Sequence, residues 1–256
     1  MSIFTMGIDV GSTASKCIIL KDGKEIVAKA VISVGTGTSG PARAMKEALE
    51  QVGLSSVSEL QGAVATGYGR NSLAEVPAQM SELSCHAKGA YFLFPNVHSI
   101  IDIGGQDSKA LKIGDNGMLE NFVMNDKCAA GTGKFLEVTS NKLGSDIENI
   151  DELAHGATPE NISSMCTVFA ESEIISLLAQ DIPKENIAAG ILKSIANKGI
   201  SILNKGRLED TIAFTGGLAQ SKELVKMLEN NLNKEIFIAE DAQIIGALGA
   251  AIIGFK

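Results

Sequence analysis

Two stretches of the chain place an aspartate, small residues and a lysine in the same order. The first is Gly7-Ile8-Asp9-Val10-Gly11-Ser12-Thr13-Ala14-Ser15-Lys16, and the second runs from Ile101-Asp102-Ile103-Gly104-Gly105-Gln106-Asp107 into Ser108-Lys109. Small residues at Gly11, Ala14, Gly104 and Gly105 let backbone N–H groups approach an anion. Ser12, Thr13 and Ser15 add hydroxyl donors, and Lys16 adds a positive charge. Asp9 and Asp102 suit a magnesium ion, directly or through its waters, because magnesium takes few carboxylates and keeps much of its water shell. Gln106 and Asp107 are candidates to orient an attacking water. A third turn, Thr215-Gly216-Gly217-Leu218-Ala219-Gln220, stands between a predicted strand and a predicted helix, a common place for phosphates. Gly216, Gly217 and Gln220 therefore join the candidate nucleotide set.

Four cysteines form a second group. Cys17 lies in a predicted strand and Cys85 in an apolar helix beside His86, where each reads as a small core residue. Cys128 and Cys166 instead stand just before predicted helices, and helix N-termini favour the thiolate that binds metal. Two thiolates per chain are too few for a cubane cluster or a structural zinc, which normally take four ligands. A two-fold dimer with the site on its axis would supply four. On spacing alone, with no Cys-x-x-Cys, the plainer reading, a buried inert pair, is the default.

These residues need strand ends and turns to hold them, and the pattern supplies both. Phe4–Val10 and Ser15–Leu20 read as strands, joined through a Lys21-Asp22-Gly23-Lys24 turn to a strand Glu25–Ser33. Ser99–Ile103, Lys109–Ile113 and Met118–Asn125 repeat that triplet, with a turn at Asp115-Asn116-Gly117. In both copies Ser-Lys follows the first aspartate at the same distance, and so does the turn aspartate, Asp22 or Asp115. The chain thus reads as one unit used twice. Helices are predicted at Pro41–Val52, Glu82–Phe94, Thr132–Leu143, Phe169–Gln180, Asn186–Asn204, Ser221–Leu232 and Ala242–Ile253. Further strands are predicted at Gln61–Thr66, Thr211–Thr215 and Glu235–Ile238.

Composition excludes several classes. The 256 residues are 45% hydrophobic and 20% charged, enough for one large domain or two smaller ones. A net charge of −8, no Trp and two Tyr argue against a nucleic-acid partner. The longest apolar run, Gly246–Phe255, is half a membrane span, and no leader pattern opens the chain, so a cytoplasmic, membrane-free protein is expected. Two competing nucleotide motifs fail. A P-loop at Gly133-Lys134 would need glycine where Cys128 stands and Ser or Thr where Phe135 stands. Gly35-Thr36-Gly37-Thr38-Ser39-Gly40 fits a dinucleotide fingerprint, but the next strand ends without the acidic residue that would hold a ribose.

Two related hairpins with a later Gly-Gly turn resemble the actin, sugar-kinase and heat-shock-chaperone ATPase superfamily. That resemblance implies an α/β fold of duplicated ribonuclease-H-like lobes with a nucleotide in the cleft between them. It places residues 1–95 and 244–256 in the first lobe, with the last helix returning to it, and residues 96–243 in the second. Gly7–Lys16, Ala65-Thr66-Gly67-Tyr68-Gly69-Arg70, Asp102–Asp107, Asn125–Gly133, Cys166–Glu173 and Gly246–Ala251 together resemble the activator ATPases of 2-hydroxyacyl-CoA dehydratases. The ATPase subunits of benzoyl-CoA reductases are related to these.

The resemblance implies a homodimer in which Cys128 and Cys166 of each chain jointly hold one [4Fe–4S] cluster, with ATP/ADP and Mg²⁺ bound elsewhere in each chain. It further implies charging by a ferredoxin or flavodoxin and ATP-driven transfer of one electron to a 2-hydroxyacyl-CoA dehydratase. The activator itself would not touch the acyl-CoA. Two other readings use the same fold. A metabolite kinase would recruit Asp107 or Glu171 as catalytic carboxylate, and a nucleotide-switch regulator would use ATP without redox chemistry; neither explains the two cysteine segments.

Overall fold

The computed structural model describes residues 2–162, 166–206 and 211–255. Three strands, β1 (Phe4–Val10), β2 (Ser15–Lys21) and β3 (Glu25–Ile32), are followed by α1 (Gly40–Gln51), β4 (Gly62–Thr66), β5 (Ala78–Gln79) and α2 (Glu82–Leu93). A second triplet, β6 (Ser99–Ile103), β7 (Ser108–Ile113) and β8 (Leu119–Asn125), leads into α3 (Gly133–Leu143), α4 (Ile150–Ala154), α5 (Thr167–Ala179) and α6 (Lys184–Gly206). The chain closes with β9 (Ile212–Thr215), α7 (Lys222–Leu232), β10 (Ile236–Ile238) and α8 (Ile245–Gly254).

The duplication is visible in the topology. One sheet has the order β3-β2-β1-β4-β5, and the other has β10-β9-β6-β7-β8, which is the same arrangement with each strand replaced by its counterpart. β1 pairs antiparallel with β2 and parallel with β4, and β9 runs parallel to both β6 and β10. A central strand with neighbours on both edges and layers on both faces is buried along its length and mostly apolar. From Thr5 to Val10, β1 is buried without a break. In the first triplet the β2–β3 connection turns through Asp22 and Gly23, whose φ values of 52° and 67° are the paired left-handed conformation of a tight hairpin turn. The second closes differently, over a longer loop in which Gly117 alone takes a positive φ of 68°.

The apolar spacing in α1 lays Ala44, Met45, Ala48 and Leu49 on β1 to β3, in one cluster with Met6, Ile8 and Val10. The opposite face holds Ile18 and Leu20 against Ala247, Leu248 and Ala251 of α8. Glycines set how closely α8 approaches. A Cβ on Gly7 would overlap the Ala247 carbonyl, and one on Gly249 would overlap the Cys85 carbonyl, so α8 lies directly against β1 and α2.

By its contacts the chain forms two units: Met1–His98 with Leu111–Glu120 and Ala239–Lys256, and Ser99–Ala110 with Asn121–Ile238. Beside the boundaries at 95/96 and 243/244 drawn from the sequence, this grouping moves Leu111–Glu120 to the first unit. α6 begins two residues before the predicted start at Asn186. β5 and α4, of two and five residues, are too short to show a hydrophobic period. Among the described residues, no helix is long and apolar enough to cross a membrane.

Candidate functional site

In the hairpin of β1 and β2, Asp9 is the buried penultimate residue of β1 and stands in register with Lys16 at the start of β2. The Lys16 ammonium lies 3.1 Å from Asp9 Oδ2. The Gly11 N–H donates to the Ala14 carbonyl at 3.0 Å and closes the turn, leaving Ser12 and Thr13 exposed. Ser15 is different: it is buried, and its hydroxyl donates to the Val34 carbonyl at 2.9 Å. The Gly35–Gly40 stretch that imitates a dinucleotide loop braces this hairpin, since the Thr36 N–H donates to the Gly11 carbonyl and a Cβ on Gly35 would strike Gly11 and Ser12.

The second hairpin has the same frame. The Gly104 N–H donates to the Asp107 carbonyl at 2.9 Å, and Gln106 is exposed at the tip. Lys109, only 2% exposed, reaches Asp102 Oδ2 at 3.2 Å and Asp107 Oδ1 at 2.9 Å. The sequence pattern placed Lys109 in register with Lys16 but gave it no role. The structure makes it the cation between two of the candidate carboxylates.

The two aspartates differ at their other oxygen. Asp9 faces Thr66 across β1 and β4, and Asp102 faces Thr215 across β6 and β9. Thr215 donates its hydroxyl to Asp102 Oδ1 at 2.8 Å. Thr66 turns its hydroxyl to the Met80 carbonyl instead, and Asp9 Oδ1 is buried with no hydrogen-bond partner among the described residues. A buried carboxylate oxygen without a donor is costly unless something outside the chain meets it. Thr66-Gly67 and Thr215-Gly216 are thus counterparts, and both glycines need their freedom. Gly67 has φ +87° and Gly216 φ +89°; a Cβ would overlap Asp9 Oδ1 in one and the Ile103 carbonyl in the other.

The third turn differs in detail from its expectation. A short 3₁₀ turn, Gly217–Gln220, separates Gly216 from α7. The N-terminus of α7 is already capped within the chain: Ser221 accepts from the Leu224 N–H, and the Asp151 carboxylate accepts from Ser221 and from the Lys222 and Glu223 N–H groups. A phosphate on that helix end would have to displace Asp151. What this turn offers a ligand is the exposed Gly217, where an added Cβ would meet nothing within 4 Å, and the exposed Gln220.

The cysteines separate into two kinds. Cys17 and Cys85 are fully buried, and burial drives both thiols up, Cys85 to about 12, with the Asp9 and Glu82 charges adding to the rise against the Thr66 hydrogen bond and Arg70. Neither is suited to be a thiolate ligand. Cys128 is half-buried and Cys166 exposed. Cys128 lies in the loop joining β8 to α3, and Cys166 is the residue that caps α5. Ser163–Met165, which precede Cys166 in its segment, lie outside the described residues.

The chain is 53% identical over its full length, and over 98% of the relative's, to the (R)-2-hydroxyglutaryl-CoA dehydratase activating ATPase of Acidaminococcus fermentans. The activator of 2-hydroxyisocaproyl-CoA dehydratase from Clostridium difficile, solved with bound ADPNP, superposes with a TM-score of 0.94 at 44% identity, covering 99% of this chain and 94% of that one. A glucokinase of the ROK family from Streptomyces griseus shares the fold alone, with a TM-score of 0.60 and 14% identity over 98% of this chain and 99% of that one. The fold is therefore the pair of ribonuclease-H-like lobes common to these ATPases and sugar kinases. Residues 6–254 match the model of the BadF/BadG/BcrA/BcrD ATPase family, and the chain belongs to that family.

Proposed function

We propose that this protein is the ATP-dependent activator of a 2-hydroxyacyl-CoA dehydratase, to which it delivers single electrons from a [4Fe–4S] cluster shared by a homodimer. The observation that carries the reading is the division of the cysteines. Cys17 and Cys85 are sealed in the core, while Cys128 and Cys166 remain accessible ahead of helices. Two such thiols per chain make a four-thiolate set when two copies meet on an axis. The donor chemistry fits an iron–sulfur cluster, which when bound supplies a low-potential one-electron carrier.

The nucleotide is held by the chain's own groups. The exposed Ser12 and Thr13 hydroxyls with the Gly11 turn in one unit, and the Gly104–Gly105 turn in the other, are the groups that would bind phosphate. The unpartnered Asp9 Oδ1 is the oxygen best placed to meet Mg²⁺ or one of its waters. Asp102 acts through the water shell, because Lys109 and Thr215 already engage its two oxygens. Exposed Gln106 orients the attacking water in preference to Asp107, one of whose oxygens is engaged by Lys109. Positioning and charge neutralisation carry such a phosphoryl transfer. ATP that binds one arrangement of the protein more tightly than another can drive an uphill electron transfer. A ferredoxin or flavodoxin serves as electron donor, and the protein works in the cytoplasm.

Anaerobic purification tests this directly. The expected product is a brown homodimer with about two irons per chain, half a cubane. It should activate a partner dehydratase only with ATP and a reductant. A colourless protein that phosphorylates a metabolite would establish the kinase reading instead, and activation without bound iron would establish the switch.

A further inference from the structure

The Cys128 loop is tied to the second nucleotide turn by bonds that the ATPase chemistry does not require. The Gly133 N–H donates to the Gly104 carbonyl at 2.9 Å, and the Lys134 N–H donates to the Gly105 carbonyl at 2.8 Å. The first turn of α3 is thereby fastened to the two glycines of that turn. At the other end of the loop stands Asn125, the last residue of β8. Its Nδ2 donates to the Cys128 carbonyl at 2.9 Å and to the Ala130 carbonyl at 3.2 Å, with the Ser108 hydroxyl at 3.5 Å. Ser108 sits between Asp107 and Lys109 on β7. In the middle of the loop, Gly131 takes φ +77°, and a Cβ there would overlap the Lys198 stem. The loop is thus pinned at both ends to the nucleotide hairpin and pressed from above by α6.

We propose that Asn125 is the positioning residue that makes the Cys128 loop and the Gly104–Gly105 turn move as one body. A shift of that turn on nucleotide exchange is then passed to the Cys128 backbone rather than absorbed by a slack loop. The proposal rests on the reading of Gly104–Gly105 as a nucleotide contact and of Cys128 as a cluster ligand. Asn125 itself touches neither ligand. It acts through the carbonyls of Cys128 and Ala130.

Hydrogen exchange on the full-length anaerobic protein, read by peptide mass spectrometry, separates coupling from mere stability. The protein is compared without nucleotide, with MgADP, and with a non-hydrolysable ATP analogue. In the unaltered protein, exchange over residues 126–132 should change between the nucleotides in parallel with that over 104–107. In Asn125→Ala, residues 104–107 should still respond, while 126–132 should exchange about tenfold faster and no longer respond, as expected when two hydrogen bonds that hold a local segment are lost. The peptide that follows Cys166 serves as the internal control and should not change. Asn125→Asp keeps the shape without the amide donor and should behave as the alanine variant does, which covers the case in which Asn125→Ala does not fold. Slow exchange over 126–132 that still follows the nucleotide in either folded variant would overturn the proposal. If the unaltered protein shows no response at 104–107, the nucleotide reading of that turn fails. The tenfold loosening without nucleotide then still decides whether Asn125 holds the loop.

Discussion

Thr215 donates its hydroxyl to Asp102 Oδ1 at 2.8 Å, whereas Thr66, its counterpart in the other repeat, leaves Asp9 Oδ1 with no partner among the described residues. The duplicated unit has therefore become asymmetric at one atom. Each aspartate keeps its lysine at one oxygen, Lys16 or Lys109, so at the other oxygen the difference comes from the threonine. An aspartate with both oxygens engaged is a structural anchor that can still order water. One with a buried oxygen left over is built for something the chain does not supply.

Asp9→Asn is accordingly the most damaging change in either hairpin that leaves the volume unaltered. It should lower Mg²⁺-dependent ATP hydrolysis by about two orders of magnitude, the scale of losing one preorganised electrostatic contact. Iron content should be unchanged, because the cysteines lie on other segments. Steady-state hydrolysis beside an iron determination checks both parts, and near-normal turnover would remove Asp9 from the metal site.

Lys109 and Lys16 should differ in their effect on stability. The side chain of Lys109 is 2% exposed, between two carboxylates, and that of Lys16 is 16% exposed beside one. Lys109→Met strands Asp102 and Asp107 without their cation, and breaking such a buried set costs roughly 3 kcal/mol or more. Lys16→Met also strands a buried carboxylate, Asp9, but Lys16 is nearer solvent and bridges no second aspartate of its hairpin, so its loss should be the smaller of the two. Denaturant titration of the two variants measures the difference, and equal losses would contradict the burial argument.

Gly216→Ala and Gly67→Ala test the counterpart turns. Both residues have φ near +90°, and both added methyl groups would overlap an oxygen. Each should destabilise by about 1–3 kcal/mol. Only Gly67→Ala pushes on Asp9 Oδ1, so it should also depress hydrolysis in whatever protein remains folded. Equal hydrolysis per folded molecule in the two variants would separate Gly67 from the metal site.

The repeated Asp-to-Lys spacing made both hairpins legible in the sequence, because a strand end, a tight turn and a strand start leave local signatures. The common sheet order follows from that repetition. Thr66 and Thr215 were not legible as partners of the aspartates, since they pair through β1–β4 and β6–β9, far along the chain. Where a threonine hydroxyl points is a rotamer choice with no trace in composition or period. The capping of α7 by Asp151 was hidden for the same reason: seventy positions separate the carboxylate from Ser221. Lys109 was half legible, matched by register to Lys16, but the second carboxylate it reaches, Asp107, has no equivalent in the first hairpin, where Ala14 occupies that place.

The last prediction concerns the cysteines as chemical groups. In folded, cluster-free protein at about pH 8, iodoacetamide should modify Cys128 and Cys166 and spare Cys17 and Cys85, because the thiolate is the reactive form and burial withholds it from the latter pair. The sign of the linkage also follows. The Cys85 thiol loses its proton near 9 when unfolded and only at about 12 when folded. The stability it contributes is complete below the unfolded value and is lost as pH rises through the folded one. Cys85→Ala should therefore flatten the alkaline fall in stability, at a loss of about 1–2 kcal/mol in packing at neutral pH. Cys128→Ala and Cys166→Ala should each abolish the visible iron–sulfur absorption. Rapid modification of Cys85 in the native protein would mean that the α2–α8 contact opens readily, and the division of the four thiols into sealed and available pairs would fail.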